Sequence, residues 1–172
     1  LQSGNLLMMI ENKDLPFTAL ERERYLEDYT EGAVYVLGEI EVDGKEMVEF
    51  AKRFDPQDMH VNEAKAKAGP FKGLIASGWF TGSVFMRLFA THYLSNASSM
   101  ASPGFDDLKW NAPVRPGDIL KGQVTINEVK RSTSKPDRGV VKTFCEIINQ
   151  DEVVVMSIRA INMIACRSGK DN

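Results

Sequence analysis

Between Trp79 and Leu94 the chain reads Trp-Phe-Thr-Gly-Ser-Val-Phe-Met-Arg-Leu-Phe-Ala-Thr-His-Tyr-Leu, and Arg87 is its only formally charged residue. A helix this apolar all round is not a surface helix, so it should be buried on most sides. Lipid is the other solvent that would accept it. At roughly 16 residues, interrupted by Thr81, Ser83, Arg87, Thr91 and His92, the run falls short of the about 20 apolar residues a membrane span needs. The reading is a buried central helix, about residues 77–95, with Trp79, Phe80, Phe85 and Phe89 in the core at helical spacing. His92, late in the run, is read as structural or exposed, because nothing in the sequence pairs with it.

The material available to wrap that helix lies mostly after it. Val34 to Ile40 has the β-branched content of a strand, and residues 105–111, 118–130, 140–149 and 153–166 continue as strands. Gly117-Asp118, Pro136-Asp137-Arg138-Gly139 and Asn149-Gln150-Asp151 punctuate them as turns. Ahead of the apolar run, Gly44 to Phe54 reads as a helix with Met47, Phe50, Ala51 and Phe54 on one face, and Asn62 to Ala68 as another. Helices early and strands late favour an α+β fold over a βαβ sheet. With 172 residues and 43% hydrophobic content, the chain can bury one sizeable core. It shows no repeat, low-complexity block or linker, so a single domain is expected.

The segment Asp55-Pro56-Gln57-Asp58-Met59-His60 lies between the two early helices. Pro56 disfavours the helical conformation at Asp55, so the first helix ends about there and a short loop carries Asp55 and His60. A loop held at both ends can aim a carboxylate and an imidazole at one water, which is acid/base chemistry. The same turn also serves purely structural ends elsewhere, because Asp before Pro is a common turn former. Gly69, Gly73 and Gly78 then lead into the apolar helix, whose start offers free backbone N–H groups and the positive end of the dipole. Such a site suits a carbonyl oxygen that turns negative during a reaction; close backbone packing is the plainer use of the same glycines.

Charge and cysteines narrow the classes further. The net charge is −3 with both signs interspersed, which speaks against a nucleic-acid partner. Cys145 and Cys166 fall in expected strands without metal-ligand spacing, and read as buried or half-buried apolar groups in a reducing compartment. No metal site, phosphate loop or nucleophile elbow is present in the sequence. Leu6-Leu7-Met8-Met9-Ile10 is too short and lacks the basic start of a signal peptide, so the cytoplasm is the expected compartment.

Phe54-Asp55-Pro56-Gln57 with Met59-His60, followed by Phe71-Lys72-Gly73-Leu74-Ile75-Ala76-Ser77-Gly78-Trp79, resembles the MaoC-like dehydratases, relatives of the (R)-specific enoyl-CoA hydratases. Arg24-Tyr25-Leu26-Glu27-Asp28-Tyr29 before Gly32, Leu108-Lys109-Trp110 with Pro113-Val114-Arg115-Pro116-Gly117-Asp118, and the later turns extend the resemblance over residues 24–166. It implies a single hot-dog domain over residues 24–167, in which an antiparallel sheet wraps one long helix, usually as a homodimer. Residues 1–23 are then an N-terminal arm or extension and 168–172 a C-terminal tail.

The resemblance further implies reversible hydration of a trans-2-enoyl thioester to a (3R)-hydroxyacyl thioester, or the reverse dehydration. The substrate would carry coenzyme A or a phosphopantetheine arm, and no separate cofactor is called for. Asp55 and His60 stand at the family's catalytic positions. Burial beside the apolar helix is expected to raise the Asp55 pKa, and the two groups are expected to titrate as a pair with acid and base roles open. The Gly73 N–H, or a neighbour near the helix start, is the expected enolate donor. Ser83 is either a helpful hydroxyl or a serine bonded to its own helix. Arg131, Lys135 and Arg138 are candidates for coenzyme A phosphates, or a solvated basic hairpin. Trp110 either lines the acyl site or packs on the sheet.

Phe54, Gln57 and Asp58 depart from the hydratase motif, where Gly, Asn and Pro are usual. Gln57 keeps an amide that can brace the loop. Asp58 is expected to face solvent, because an unpaired buried charge is costly. Ser77 stands where many relatives carry His, which bears on substrate preference. Two other classes share the fold: acyl-CoA thioesterases, and proteins that bind acyl thioesters without turning them over.

Overall fold

The computed structural model describes residues 23–167, so expectations for residues 1–22 and 168–172 lie outside the described part. Five strands, β1 (Val34–Glu41), β2 (Gly104–Trp110), β3 (Ile119–Arg131), β4 (Arg138–Ile148) and β5 (Val154–Ala165), form one antiparallel sheet in the order β1-β3-β4-β5-β2. β3, β4 and β5 are joined as successive hairpins, with Lys130 opposite Val140 and Thr143 opposite Ala160. In β1 the register slips between Val36 and Glu39, and Gly38 sits there at φ +86, a conformation that suits a residue without Cβ.

A single 3-10 turn (Leu26–Asp28) and four α-helices complete the described residues: α1 (Gly44–Phe54), α2 (Asp58–Val61), α3 (Glu63–Ala68) and α4 (Gly78–His92). α4 is the central helix of the sequence reading, and the sheet curls around it in the hot-dog arrangement. Phe80, Val84, Phe85, Leu88 and Phe89 on one side of α4 are buried with Leu37, Leu120, Val124, Val141, Ile147 and Met156 of the sheet. Gly122 of β3 lets the sheet approach closely, since a Cβ there would lie 3.2 Å from Leu88 Cδ1. At the far end, the buried Arg24 guanidinium donates to the carbonyls of His92 and Tyr93 at 3.1 Å each. A cation is thereby placed where the helix dipole is negative.

Three details differ from the sequence reading. The stretch holding His60 is not a loop throughout, because α2 gives it one turn of helix. Phe54 is 59% exposed although Met47 and Ala51 of the same helix are fully buried; α1 turns only its earlier residues inward. Trp79 is 55% exposed rather than in the core, and Met86 is 45% exposed. The sheet wraps one side of α4 and leaves this side open, beside Phe105 and Trp110 of the edge strand β2. His92 is exposed, as expected. Among the described residues, no helix is long and apolar enough to cross a membrane.

Candidate active site

Asp55 sits just past the end of α1. Asp43 caps the start of that helix, accepting from the N–H groups of Lys45 and Glu46, and Pro56 prevents its continuation. The Asp55 N–H closes the last turn on Ala51 O at 2.8 Å, while its backbone has already left helical values at φ −153 and ψ 67. The carboxylate is therefore aimed by the exit from α1. Its Oδ1 accepts from Gln57 Nε2 at 2.7 Å, so Gln57 does brace the turn.

His60 enters on α2 and is 5% exposed. Its Nδ1 lies 2.8 Å from the carbonyl oxygen of Ile75. That oxygen only accepts, so Nδ1 carries the proton. Ile75 N–H returns a bond to Met59 O at 3.2 Å, stitching α2 to the segment that leads into α4. His60 Nε2 is thereby turned to Asp55 Oδ2, 3.4 Å away. The two residues singled out from the sequence do meet.

Ser77 completes the group. It is the N-cap of α4, fully buried, and its Oγ donates to Asp55 Oδ2 at 2.6 Å. The same Oγ accepts the N–H of Trp79 at 3.3 Å. The sequence reading tied Ser77 only to substrate preference; its position immediately before the helix start was the signal that it would hold a polar group there. These bonds correct the expected direction of the Asp55 pKa, which lies below the ordinary carboxylate value. The Ser77 bond lowers it most and the Gln57 bond next, partial burial opposes them, and the His60 charge lowers it further. Donors aimed at the charged form outweigh desolvation.

Gly73 is not the free donor expected of it. Its N–H is engaged by Ala66 O at 3.1 Å, within the turn that ends α3. Gly78, the first residue of α4, differs: its N–H has no acceptor within its own helix and none among the described residues. Gly78 and His60 line a cavity of about 360 Å³ together with Met59, Phe71, Thr81 and Trp110. Trp110 thus lines the site, and its indole N–H donates to Gly78 O at 2.9 Å.

Other candidates lie elsewhere. Ser83 is exposed and donates to Trp79 O at 2.8 Å, the bond to its own helix. Asp58 faces solvent and pairs with Lys65 at 2.9 Å. Arg131, Lys135 and Arg138 surround the β3–β4 hairpin, where Arg131 donates to Pro136 O and Arg138 pairs with Asp137. Arg138 is opposite Ala165 of β5, whereas Trp110 is opposite Met156. Along β5 those positions are roughly 30 Å apart at strand rise, so within one chain the basic hairpin does not reach the dyad. Among the described residues no group of His, Cys, Asp and Glu is placed to hold a metal ion.

The chain is similar to known proteins in sequence and in fold. The chain is 32% identical over 131 residues to the uncharacterized protein YdeM of Bacillus subtilis (strain 168), covering 76% of this chain and 91% of that one. The crystal structure of a MaoC-like dehydratase from Rhodospirillum rubrum superposes with a TM-score of 0.79 at 33% identity, covering 85% of this chain and 99% of that chain. The (R)-hydratase PhaJ1 from Pseudomonas aeruginosa shares the fold, with a TM-score of 0.64 at 21% identity over 83% of this chain and 86% of that chain. The MaoC-like domain family model itself matches residues 29–145, a span that holds Asp55, His60, Ser77, Gly78 and the whole of α4, and the chain belongs to that family.

Proposed function

We propose that this protein is a hydro-lyase that adds water to a trans-2-enoyl thioester, or removes it from the (3R)-hydroxyacyl product. One observation carries the reading: Asp55 Oδ2 stands 3.4 Å from Nε2 of His60, and His60 lines a largely apolar cavity together with Gly78 of the start of α4. A water about 2.8 Å from each would be oriented by both. The thioester makes the β-carbon electrophilic, and negative charge then develops on its oxygen. The Gly78 N–H, at the positive end of α4, is the donor placed for that charge. The substrate brings its own coenzyme A or phosphopantetheine handle, and the proposed chemistry calls on no further cofactor.

The working unit in this proposal is a homodimer. β2 is an edge strand, and Trp79, Met86, Phe105 and Trp110 form an exposed apolar face beside it. A second copy of the chain would cover both the open strand edge and that face. A cytoplasmic setting suits the two free, buried thiols.

The test follows the loss of enoyl-thioester absorbance with short, branched and medium trans-2-enoyl-CoA substrates. Wild type is expected to hydrate at least one of them. Asp55→Asn and His60→Ala should each slow it by roughly 10²–10⁴-fold, the usual contribution of positioned acid/base groups. Release of free thiol without hydration would indicate a thioesterase. Binding without turnover would indicate an acyl-thioester carrier.

A further inference from the structure

The bonds around Asp55 and His60 divide the work between them. Both carboxylate oxygens of Asp55 already accept a bond, Oδ1 from Gln57 at 2.7 Å and Oδ2 from Ser77 at 2.6 Å. The Ser77 hydroxyl has one proton. Because its oxygen accepts the Trp79 N–H of the first turn of α4, that proton is directed to Asp55. A carboxylate held by aimed donors resists protonation. His60 has the opposite character. Its Nδ1–H is tied to Ile75 O at 2.8 Å, and its Nε2 faces the carboxylate at 3.4 Å with a lone pair when the ring is neutral. Two acceptors facing one another need a proton between them, which either a bridging water or the imidazolium supplies.

We propose that Ser77 is a positioning residue that keeps Asp55 an anion throughout turnover, leaving His60 Nε2 as the atom that takes the proton of water and returns it to the α-carbon. The assignment rests on the hydratase reading. In it, an O–H bond of water breaks and its proton moves to Nε2. The oxygen pair forms the new C–O bond at the β-carbon, and the π pair of the alkene moves onto the thioester oxygen as an enolate. The enolate then re-forms its carbonyl while the α-carbon takes the proton from Nε2, restoring the neutral ring. Nothing is oxidised or reduced, and both new bonds form on the face presented to the dyad. During this cycle the Asp55 anion stabilises the imidazolium next to it.

Other charged groups on the elements packed here are engaged or turned away. Asp58 of α2 is paired with Lys65 of α3. The Arg53 guanidinium of α1 lies over the Phe54 ring at 4.9 Å. On the β2–β3 connection Arg115 donates to Phe71 O at 2.7 Å, and Lys52 and Lys72 are exposed. His60 is the titratable neighbour whose charge, when the ring is protonated, bears on Asp55.

The experiment pairs a carboxyl ¹³C titration of Asp55 by NMR with the pH profile of kcat on trans-2-butenoyl-CoA, in wild type, Ser77→Ala and Ser77→Thr. Ser77→Ala is expected to raise the Asp55 titration midpoint and to bring a new ionisation into the acid limb of kcat. It should lower kcat roughly tenfold to a hundredfold, as loss of orientation does, with KM nearly unchanged. Ser77→Thr, which keeps the hydroxyl, should restore both profiles. If Ser77→Ala unfolds with its helix cap, Ser77→Cys fills the same space with a weaker donor and carries the same comparison. An Asp55 midpoint that does not move, or a kcat loss with an unchanged profile, overturns the proposal and leaves Ser77 a helix cap. Wild type that hydrates none of the enoyl panel overturns the hydratase reading and the role of His60 with it, while the titration alone still decides whether Ser77 holds Asp55.

Discussion

Trp110 occupies the space that a side chain at Gly78 would need. A Cβ built on Gly78 would lie 2.3 Å from Trp110 Cε2, and the indole N–H is bonded to the carbonyl of that same glycine. The edge strand β2 and the start of α4 are therefore locked together at a glycine that lines the cavity. The glycine is required by close approach and not by its φ, which is not positive.

Gly78→Ala is thus expected to destabilise the fold by about 1–3 kcal/mol, the usual cost of overpacking. Trp110→Ala in the same chain should relieve most of that loss. Thermal denaturation of the two single variants and the double variant measures it. Additive losses would show that the ring is not the obstacle.

The lowered pKa of Asp55 makes a statement about stability. Its folded value lies below the ordinary 3.8, so its contribution is fully present above about that pH and is lost as pH falls through the lower folded value. Urea midpoints of wild type and Asp55→Asn should differ most near neutral pH and draw together as pH falls through the lowered folded value of Asp55. A gap that stays constant across that range would contradict the bonds drawn to the carboxylate.

Cys145 is fully buried, and burial pushes its thiol up to about 12. Burial also raises Cys166. Because the thiolate is the reactive form, neither should react with a disulfide reagent at about pH 8 in the native protein, and both should react in denaturant. Rapid labelling of native Cys145 would mean that β4 opens.

Asp58 and Lys65 form a pair whose side chains are 58% and 63% exposed. Asp58→Asn should change stability by no more than about 0.5–1 kcal/mol and leave the pH profile of turnover unmoved, since exposed pairs contribute little. A displaced profile would place Asp58 among the groups acting on the dyad.

Local pattern carried much of the fold. The ends of α1 follow from Asp43 as cap and Pro56 as stop, and the strands follow from β-branched runs between turn residues. α2 was not legible, because one helical turn is too short to show a period. Helical spacing puts Phe54 and Trp79 on inward faces, yet both are exposed. Spacing says which residues share a face, but not how far a neighbouring layer extends over it.

The sequence by itself determined that an apolar helix needs a sheet to cover it, though not that one side of it stays open, and that Asp55 and His60 flank one turn ahead of it. Both depend on composition and on neighbours a few residues apart. Only the tertiary structure decided that Ser77 donates to Asp55 across 22 positions, that the Gly73 N–H is engaged and the Gly78 N–H free of its helix, and that Arg138 lies at the other end of the sheet. A hydrogen bond depends on which distant segments are brought within about 3 Å and at what angle, and a pKa depends on the donors and burial that result. Folding settles those quantities, because they belong to the meeting of α1, α2 and α4 and not to any one of them.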